Sequence, residues 1–433
     1  MNPYIINKFT RQSFGTLIVE VTTDPIFSPS APIEDVTIII STTTNDGNPV
    51  IIGEFNTNEV GQTHIITLEC PANDLTQGPN PDKRPYSVYQ IEAIASNYIP
   101  VVISGVQIFA DTQSIQPITL VPLAISRFSV PKLRYETIDI SIGPAKLYGD
   151  YPPKIPENEI KNTTASGFIV LDKVVVPEFI VVHEGSPNNA NAPNYTVRYK
   201  DYIKNVASSE IYPTWPTETI KANVIAIVSF TLNRVYTEWY RNQGKNFTIT
   251  NSTAFDHAFF YGRDIFNSVS QIVDEVFNIY VKRPGVKQPL LTQYCDGVKV
   301  SCPNWMTQWG SEKLGKDGLS AEQILKHFYG YDIQLIESTE VQGIPESFPG
   351  ATLQVGSSGS AVRTIQEQLN RISQNYPLVP KVPSDGVYGK KTADAVKVFQ
   401  DVFHLNPDGK IGKATWYKIS HVYVAVTKIG SLI

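Results

Sequence analysis

The middle of the sequence contains the segment Ser208-Ser209-Glu210-Ile211-Tyr212-Pro213. It places a single carboxylate between polar and aromatic neighbours, with Trp215 shortly behind it. Two prolines then predict a turn, and the second, Pro216, suits the first turn of a helix. Apolar residues recur at a spacing of three and four from there to about Arg241, which predicts a long helix.

The sequence on both sides of this stretch predicts a mixed α+β domain over residues 174–337. A β-branched run over 174–182 predicts a strand that opens the domain. Apolar periodicity predicts further helices over about 264–281 and 320–328. Ser320 and Gln323 have the spacing of a capping box at the start of the last helix.

The region before this domain is predicted to be an all-β sandwich over residues 1–122, which resembles the carboxypeptidase-regulatory-like fold. Short β-branched and aromatic runs alternate there with turn residues at regular intervals. We expect strands at 17–21, 36–40, 50–55, 64–68, 87–94 and 106–109. Residues 123–173 are rich in proline and small polar residues and are predicted to be a linker.

The region after the central domain contains an internal repeat. Asp385-Gly386-Val387-Tyr388-Gly389-Lys390-Lys391-Thr392 recurs as Asp408-Gly409-Lys410-Ile411-Gly412-Lys413-Ala414-Thr415. Each copy predicts an Asp-Gly turn followed by a helix start. With the apolar helix before them, these copies predict a three-helix unit over 351–422, after a linker at 338–350 and before a tail at 423–433.

Composition narrows the function classes. The chain has 433 residues, 18% of them charged, and a net charge of −5. Acidic residues concentrate in the first region and basic residues in the last, but no arginine-rich stripe indicates nucleic acid. No apolar run reaches the roughly 18–20 residues of a membrane span. We also expect no signal peptide, since Met1-Asn2-Pro3-Tyr4 leads into no basic and apolar leader.

The C-terminal unit resembles the peptidoglycan-binding domain found on many cell-wall hydrolases. The doubled Asp-Gly motif, Leu353-Gln354-Val355-Gly356 and Trp416 carry the resemblance. It implies that peptidoglycan is a partner of this chain. Tyr388 and Tyr417 are then candidates for stacking on sugar rings.

The segment around Glu210 resembles the SpoIID domain, a glycan-cleaving fold of sporulating bacteria. In that family the matching glutamate is the acid/base of a lytic transglycosylase, so the resemblance implies this catalytic role for Glu210. The chemistry is consistent, because a protonated carboxyl must stand beside the leaving oxygen. Burial among aromatic residues would favour that protonated form. The structural alternative is a helix-end charge without chemistry.

Further segments resemble the substrate groove of the same family. They are Ile249-Thr250-Asn251-Ser252-Thr253-Ala254-Phe255-Asp256-His257 and Cys302-Pro303-Asn304-Trp305-Met306-Thr307-Gln308-Trp309-Gly310. The resemblance implies that the substrate is contacted by Tyr212, Ser252, Thr253, His257, Gln308 and Trp309.

The cysteines distinguish this chain from SpoIID itself. His257 has no cysteine and no second histidine near it in the sequence, so we expect no metal and no cofactor. Cys302 stands where that family has a histidine. Cys295 and Cys302 could pair, stay free or bind zinc together with His257.

The whole layout resembles the clostridial spore cortex-lytic enzymes of the SleC type. That resemblance implies a precursor made in the mother cell and stored in the cortex or coat region of the spore. It also implies that a subtilisin-like germination protease of the Csp type removes the N-terminal region, with cleavage near Lys173 and Val174. Exposed linkers are favoured sites of proteolysis.

Two other functions are compatible with the sequence. A non-catalytic peptidoglycan-binding spore protein would explain the missing histidine. A muramidase or glucosaminidase that uses water would need a second carboxylate, for which Glu178 and Asp201 are candidates.

Overall fold

The structure is a computed structural model. It describes residues 13–24, 30–43, 47–79, 84–123, 137–145, 171–302 and 305–427. Most of the predicted linker at 123–173, the first twelve residues and the end of the predicted tail lie outside this part of the chain. The described residues form a β-sandwich, a central α+β region and a C-terminal helical module.

The described residues form eighteen strands, of which the first eight lie in the sequence of the sandwich and ten shorter ones in that of the central region. The first eight are β1 (Ser13–Thr23), β2 (Thr37–Thr43), β3 (Pro49–Asn56), β4 (Ile66–Cys70), β5 (Ser87–Ile94), β6 (Val101–Ile108), β7 (Gln113–Leu120) and β8 (Ile138–Ser141). The others are β9 (Val175–Val176), β10 (Phe179–His183), β11 (Asn194–Arg198), β12 (Ile249–Thr250), β13 (Ile265–Phe266), β14 (Ile279–Lys282), β15 (Tyr294–Cys295), β16 (Met306–Thr307), β17 (Gln334–Glu337) and β18 (Glu340–Val341).

The sandwich consists of two sheets that enclose one apolar core. One sheet has the order β3-β2-β5-β6-β8 and the other β13-β7-β1-β4. Side chains alternate between buried and exposed positions along β4, as expected for a strand with one face on a core. Strand β13 belongs by sequence to the central region, yet it pairs with β7, where Ile265 lies opposite Ile115. The two regions therefore share a sheet.

Helices form the frame of the central region and all of the C-terminal module. They are α1 (Tyr199–Glu210), α2 (Thr217–Tyr236), α3 (Asn267–Val276), α4 (Gln308–Lys316), α5 (Ala321–Tyr329), α6 (Ser360–Ile372), α7 (Lys390–Val402) and α8 (Lys413–Thr427). Helix α2 is buried on nearly all sides and contacts α1, α3, α4 and α5. A helix that is apolar all round lies in the centre of a core, and α2 is the axis of this region.

The C-terminal module repeats one hydrogen-bond pattern. The side-chain amide of Gln366 donates to Asp385 Oδ1 at 3.0 Å and accepts from the Gly386 N–H at 2.8 Å. Gln400 does the same with Asp408 at 2.9 Å and with the Gly409 N–H at 2.8 Å. The repeat seen in the sequence is thus a repeat of buried glutamines that hold the Asp-Gly turns. One residue, Gly386, adopts a φ of 76°, which favours glycine.

Several sequence predictions can be compared with these bounds. Each of the six predicted sandwich strands overlaps an observed one, and the capping box of Ser320 and Gln323 is present. The predicted helix to Arg241 ends earlier, at Tyr236, and the predicted helix over 264–281 is divided between β13, α3 and β14. Strand β8 lies inside the predicted linker, and α8 continues to Thr427, into the predicted tail.

The three regions pack directly on one another. One continuous apolar cluster contains Phe109 of the sandwich, Phe266 of the central region and Trp416 of the module. Helix α3 contacts α8 across the boundary between the central region and the module. None of the helices in the described part of the chain is both long and apolar enough to cross a membrane.

Candidate active site

Glu210 is the last residue of α1, and its position follows from the local sequence. Helix α1 is buried along almost its whole length, so its end lies deep in the central region. Ile211 then adopts an extended backbone and ends the helix. Only 1% of Glu210 is exposed to solvent.

The Glu210 carboxylate has two hydrogen-bond donors. The backbone N–H of Ala258 donates to Oε1 at 2.6 Å, and the hydroxyl of Tyr294 donates to Oε2. No cationic side chain among the described residues forms an ion pair with it. Burial raises the pKa of Glu210 to about 8, although both hydrogen bonds lower it. The group is therefore held mainly as a carboxylic acid at neutral pH.

Gln308 begins α4 and touches the same glutamate. Its side-chain N–H donates to the backbone carbonyl of Glu210 at 3.0 Å. Its Oε1 atom is buried and has no hydrogen-bond partner among the described atoms. A buried amide oxygen without a donor costs free energy unless a donor arrives from outside the chain. The structure thus brings together two residues that the sequence singled out separately.

Tyr294 is a site residue that sequence reasoning missed. It lies directly before Cys295, and β15 and β16 pair in parallel, with Tyr294 opposite Met306. Tyr294 contacts the Glu210 carboxyl group and Gln308 contacts the Glu210 backbone carbonyl. No quoted sequence segment includes Tyr294, and its contact with Glu210 depends on the fold.

His257 supports the site without touching the carboxylate. Its Nδ1 atom lies 3.0 Å from the Tyr202 hydroxyl, and its ring is 4.5 Å from that of Phe230. Burial lowers the pKa of His257 to about 3, so the ring is neutral. Its neighbour Ala258 supplies the N–H that binds Glu210.

A buried ion pair holds the segment that carries His257. Asp256 accepts hydrogen bonds from Arg234 Nε at 2.8 Å, from the Tyr240 hydroxyl at 2.6 Å and from the Thr250 N–H at 2.9 Å. Ser252 and Thr253 form the turn in between, where the Ser252 hydroxyl accepts from the Ala254 N–H at 3.3 Å. Neither residue shows a contact with Glu210, so their predicted role as substrate contacts stays a prediction.

The aromatic residues Tyr212 and Trp309 lie in one cluster with Trp215. The Tyr212 and Trp309 ring centroids are 6.0 Å apart, and Trp215 is 5.1 Å from Trp309. The sandwich covers this cluster. The Trp215 indole N–H donates to the carbonyl of Thr76 at 3.1 Å, and Tyr212 packs 5.6 Å from Phe109. The sandwich thus contacts two of the three aromatic side chains of this cluster.

The predicted cleavage position is at the edge of the central region. The side chain of Lys173 is 71% exposed and pairs with Glu340 at 3.2 Å. The carbonyl of Val174 accepts a hydrogen bond from the Ser338 hydroxyl at 2.7 Å, and β9 follows immediately. Cleavage at this bond stays a prediction.

The predicted stacking of Tyr388 and Tyr417 on sugar rings needs correction. Tyr388 is 1% exposed with its hydroxyl on the Gly409 carbonyl, and Tyr417 is 4% exposed with its ring 5.0 Å from that of Phe277. Buried rings cannot stack on sugars, so the stacking role does not fit this arrangement of the chain.

The alternative of zinc binding by Cys295, Cys302 and His257 also needs correction. Cys295 and Cys302 form a disulfide, so their sulfur atoms are not free to bind a metal together with His257. Among the described residues, no group of three or more metal-binding side chains occurs.

Two family models match parts of this chain. The model for "Stage II sporulation protein", SpoIID, matches residues 189–276, and that for "Putative peptidoglycan binding domain" matches residues 358–419. The chain carries a SpoIID domain and a peptidoglycan-binding domain. The SpoIID match lies within the central region and the peptidoglycan-binding match within the C-terminal module. Glu210 lies inside the SpoIID match, whereas Tyr294 and Gln308 lie beyond it.

Similar proteins cover smaller parts of the chain. An "Uncharacterized protein in bpoA1 3'region" of Kitasatospora aureofaciens is 40% identical over 65 residues, which are 15% of this chain and 51% of that protein. The chain thus spans about half the length of this curated relative. Transthyretin from Sparus aurata is 16% identical, with 24% of this chain and 89% of that chain covered and a TM-score of 0.15. (S)-allantoin synthase is also 16% identical, with 25% of this chain and 41% of that chain covered and a TM-score of 0.17.

Proposed function

We propose that this chain is the precursor of a spore cortex-lytic enzyme that cleaves peptidoglycan strands as a lytic transglycosylase. The observation that carries the proposal is the environment of Glu210, a buried carboxyl without a cationic partner. Burial raises its pKa to about 8. Such a group can donate a proton at neutral pH, as glycoside cleavage requires.

In the proposed reaction Glu210 performs both proton transfers. Its acid proton moves to the glycosidic oxygen as the bond from that oxygen to the sugar C1 breaks. The C6 hydroxyl of the same sugar then attacks C1, and the Glu210 carboxylate takes the hydroxyl proton. The products are a 1,6-anhydro sugar and a free hydroxyl on the leaving sugar, and Glu210 is again an acid.

The surroundings of Glu210 suit this sequence of steps. Tyr294 and the Ala258 N–H would stabilise the carboxylate that forms after the first proton transfer. The unpartnered Oε1 atom of Gln308 would accept the N–H of an N-acetyl group.

A water-using mechanism finds less support, because it needs a second carboxylate within about 5–9.5 Å of the first. Asp201 lies nine residues before Glu210 in α1, which corresponds to about 13 Å along the helix axis. Glu178 pairs with Arg198 at 3.2 Å. Neither candidate from the sequence is placed beside Glu210 by a described contact.

The sandwich supports the precursor part of the proposal. It covers the aromatic cluster of Tyr212, Trp215 and Trp309, and Glu210 is almost fully buried. We propose that a subtilisin-like germination protease of the Csp type cuts at the exposed Lys173 in the spore and so allows the sandwich to leave. A full chain that is fully active without a cut would contradict this step.

Mass spectrometry of fragments released from purified cortex tests the proposal. The chain cut between Lys173 and Val174 is compared with its Glu210→Gln variant, and binding to cortex is measured for both. Anhydro-ended fragments from the wild type alone are expected. Reducing-end fragments would mean that water is the nucleophile. Binding without any fragments would favour a non-catalytic wall-binding protein.

A further inference from the structure

A disulfide lies at the base of the loop that delivers two of the groups around Glu210. Cys295 is the last residue of β15 and follows Tyr294 directly. Its bond to Cys302 closes the loop before β16 and Gln308. The disulfide and both site residues thus belong to one short stretch of chain, and both cysteines are buried.

The connection between the two strands is unusually short for its geometry. β15 and β16 pair in parallel, with Cys295 opposite Thr307. Parallel neighbours need a crossover of about a dozen or more residues, whereas residues 296–305 connect these strands. Two interactions in the described part of the loop hold it so that β16 can run parallel to β15.

The first interaction is a set of hydrogen bonds to Asp296, and the second is the disulfide. The Asp296 carboxylate accepts hydrogen bonds from the N–H groups of Val298, Lys299 and Val300 at 3.2, 2.9 and 3.0 Å. Its carbonyl accepts from the Trp309 N–H at 3.3 Å. The disulfide then ties the far end of this turn to β15. Loss of this covalent link would leave only the hydrogen bonds of Asp296 and the two-residue strand pair to hold the loop.

We propose that the Cys295–Cys302 disulfide is a positioning element of the active site, which holds Tyr294 and Gln308 against Glu210. This inference rests on the proposed function for its catalytic consequence only. Reduction by a dithiol would transfer two electrons and two protons to the sulfur atoms, giving two cysteine thiols and the oxidised cyclic reagent. The loop would then relax, and Tyr294 would leave the Glu210 carboxyl.

The first test follows the Glu210 carboxyl itself in the full chain, without any substrate. The protein is labelled with ¹³C at glutamate side-chain carboxyls, and the Glu210 signal is the one lost in Glu210→Gln. Because the Tyr294 hydrogen bond lowers the pKa of Glu210, its loss should raise the titration midpoint further. We expect this shift in the Cys295→Ser/Cys302→Ser variant and in the protein reduced with dithiothreitol.

Two controls make this test specific. Cys70 is a free, buried cysteine of the sandwich, so Cys70→Ala should leave the midpoint where it is. Tyr294→Phe should reproduce the shift with the disulfide intact. An unchanged midpoint in both the double variant and the reduced protein would overturn the proposal.

The second test is kinetic and uses the activated enzyme in its oxidised, reduced and reoxidised states. Misplacement of a catalytic group by about 1 Å can cost on the order of a hundred-fold in rate. We expect kcat to fall by about ten- to a hundred-fold on reduction, KM to rise because Gln308, the proposed contact of the N-acetyl group, is displaced as well, and reoxidation to restore both. A reduced enzyme with full kcat would also overturn the proposal.

The two tests separate this inference from the proposed function. If the oxidised enzyme cleaves no glycan, the lytic function fails, while a shifted carboxyl titration still supports the positioning role. If glycan is cleaved equally well in every redox state and the titration does not move, the positioning role fails alone.

Discussion

The two ends of helix α1 give buried carboxyl groups opposite surroundings. At the carboxyl end, Glu210 has hydrogen-bond donors but no cation, and its pKa is raised to about 8. In the first half, Lys200 and Lys204 both pair with Asp274, at 2.5 and 2.9 Å. Burial alone would raise the pKa of Asp274, but the two lysines hold it well below its usual range. The lysines of α1 thus keep Asp274 of α3 charged, whereas Glu210 at the other end of α1 is kept protonated.

The comparison separates two uses of burial. Desolvation acts on both carboxyl groups in the same direction, and only the neighbouring lysines reverse it for Asp274. A buried ion pair resists the loss of one partner, because the other charge is left without compensation. A buried neutral acid has no such partner to lose. Substitutions at the two ends should therefore separate activity from stability.

The largest expected effect is the loss of glycan cleavage in Glu210→Gln. The amide keeps the size and burial of the side chain but cannot donate an acid proton, so turnover should fall about 10³-fold or more. Fragment release from cortex by the activated protein measures this effect. Measured near pH 4.5, where the Glu210 carboxyl of the folded chain is protonated, the free energy of unfolding should change by no more than about 1 kcal/mol. A variant that retains turnover would remove Glu210 from the mechanism.

The matched change at the other end is Asp274→Asn, which should act on stability. It leaves Lys200 and Lys204 as buried charges without a counter-charge and should cost about 3–5 kcal/mol. Chemical denaturation of the full chain measures this cost, with Glu210→Gln as the control of equal size. A loss below about 1 kcal/mol would mean that water reaches the lysines and that the two ends differ less than their burial indicates.

The pH dependence of stability should have opposite signs for the two groups. The folded pKa of Glu210 lies above its ordinary value of 4.5, so its contribution falls as the pH rises from about 4.5 to about 8. The folded pKa of Asp274 is lowered, so its contribution is lost as the pH falls below the ordinary value of 3.8. Denaturation curves at several pH values give the free energy of unfolding of each protein. The value for Glu210→Gln minus that for wild type should therefore rise with pH only between about pH 4.5 and about pH 8.

The smallest expected effect belongs to Tyr294→Phe. The change removes one hydrogen bond that lowers the pKa of Glu210, so the alkaline limb of the pH–rate profile should move to higher pH. Turnover at the optimum should fall only several-fold, since the acid itself remains. A profile with an unchanged alkaline limb would show that Tyr294 does not control the proton on Glu210.

The sequence predicted those parts of the site that depend on local pattern. Glu210 and Gln308 stand in recognisable segments, and the structure places them in contact. The long helix α2 was predicted from its periodicity, although it ends at Tyr236 because Thr237 and the residues behind it form turns. The strands of the sandwich also overlap their predicted positions, since alternation and turn residues are local signals.

Other features depend on contacts between distant residues and left no local signal. Tyr294 reaches Glu210 only through the parallel pairing of β15 with β16. Strand β13 looked like the beginning of a helix, because its apolar residues continue the periodicity of α3, but pairing with β7 of the sandwich makes it a strand. Tyr388 was predicted to lie on a sugar-binding surface. It is buried instead, and its hydroxyl donates a hydrogen bond to the carbonyl of Gly409 in the second repeat.

The contacts of the sandwich have a consequence for how activation proceeds in time. A cut between Lys173 and Val174 breaks the chain but leaves the β13–β7 pairing, the Trp215–Thr76 hydrogen bond and the bond between Arg263 and Gln107 at 3.2 Å. The two pieces would then form a non-covalent complex governed by mass action. The active fraction should therefore rise on dilution, and a high concentration of the two pieces would itself restrain an enzyme that has already been cut.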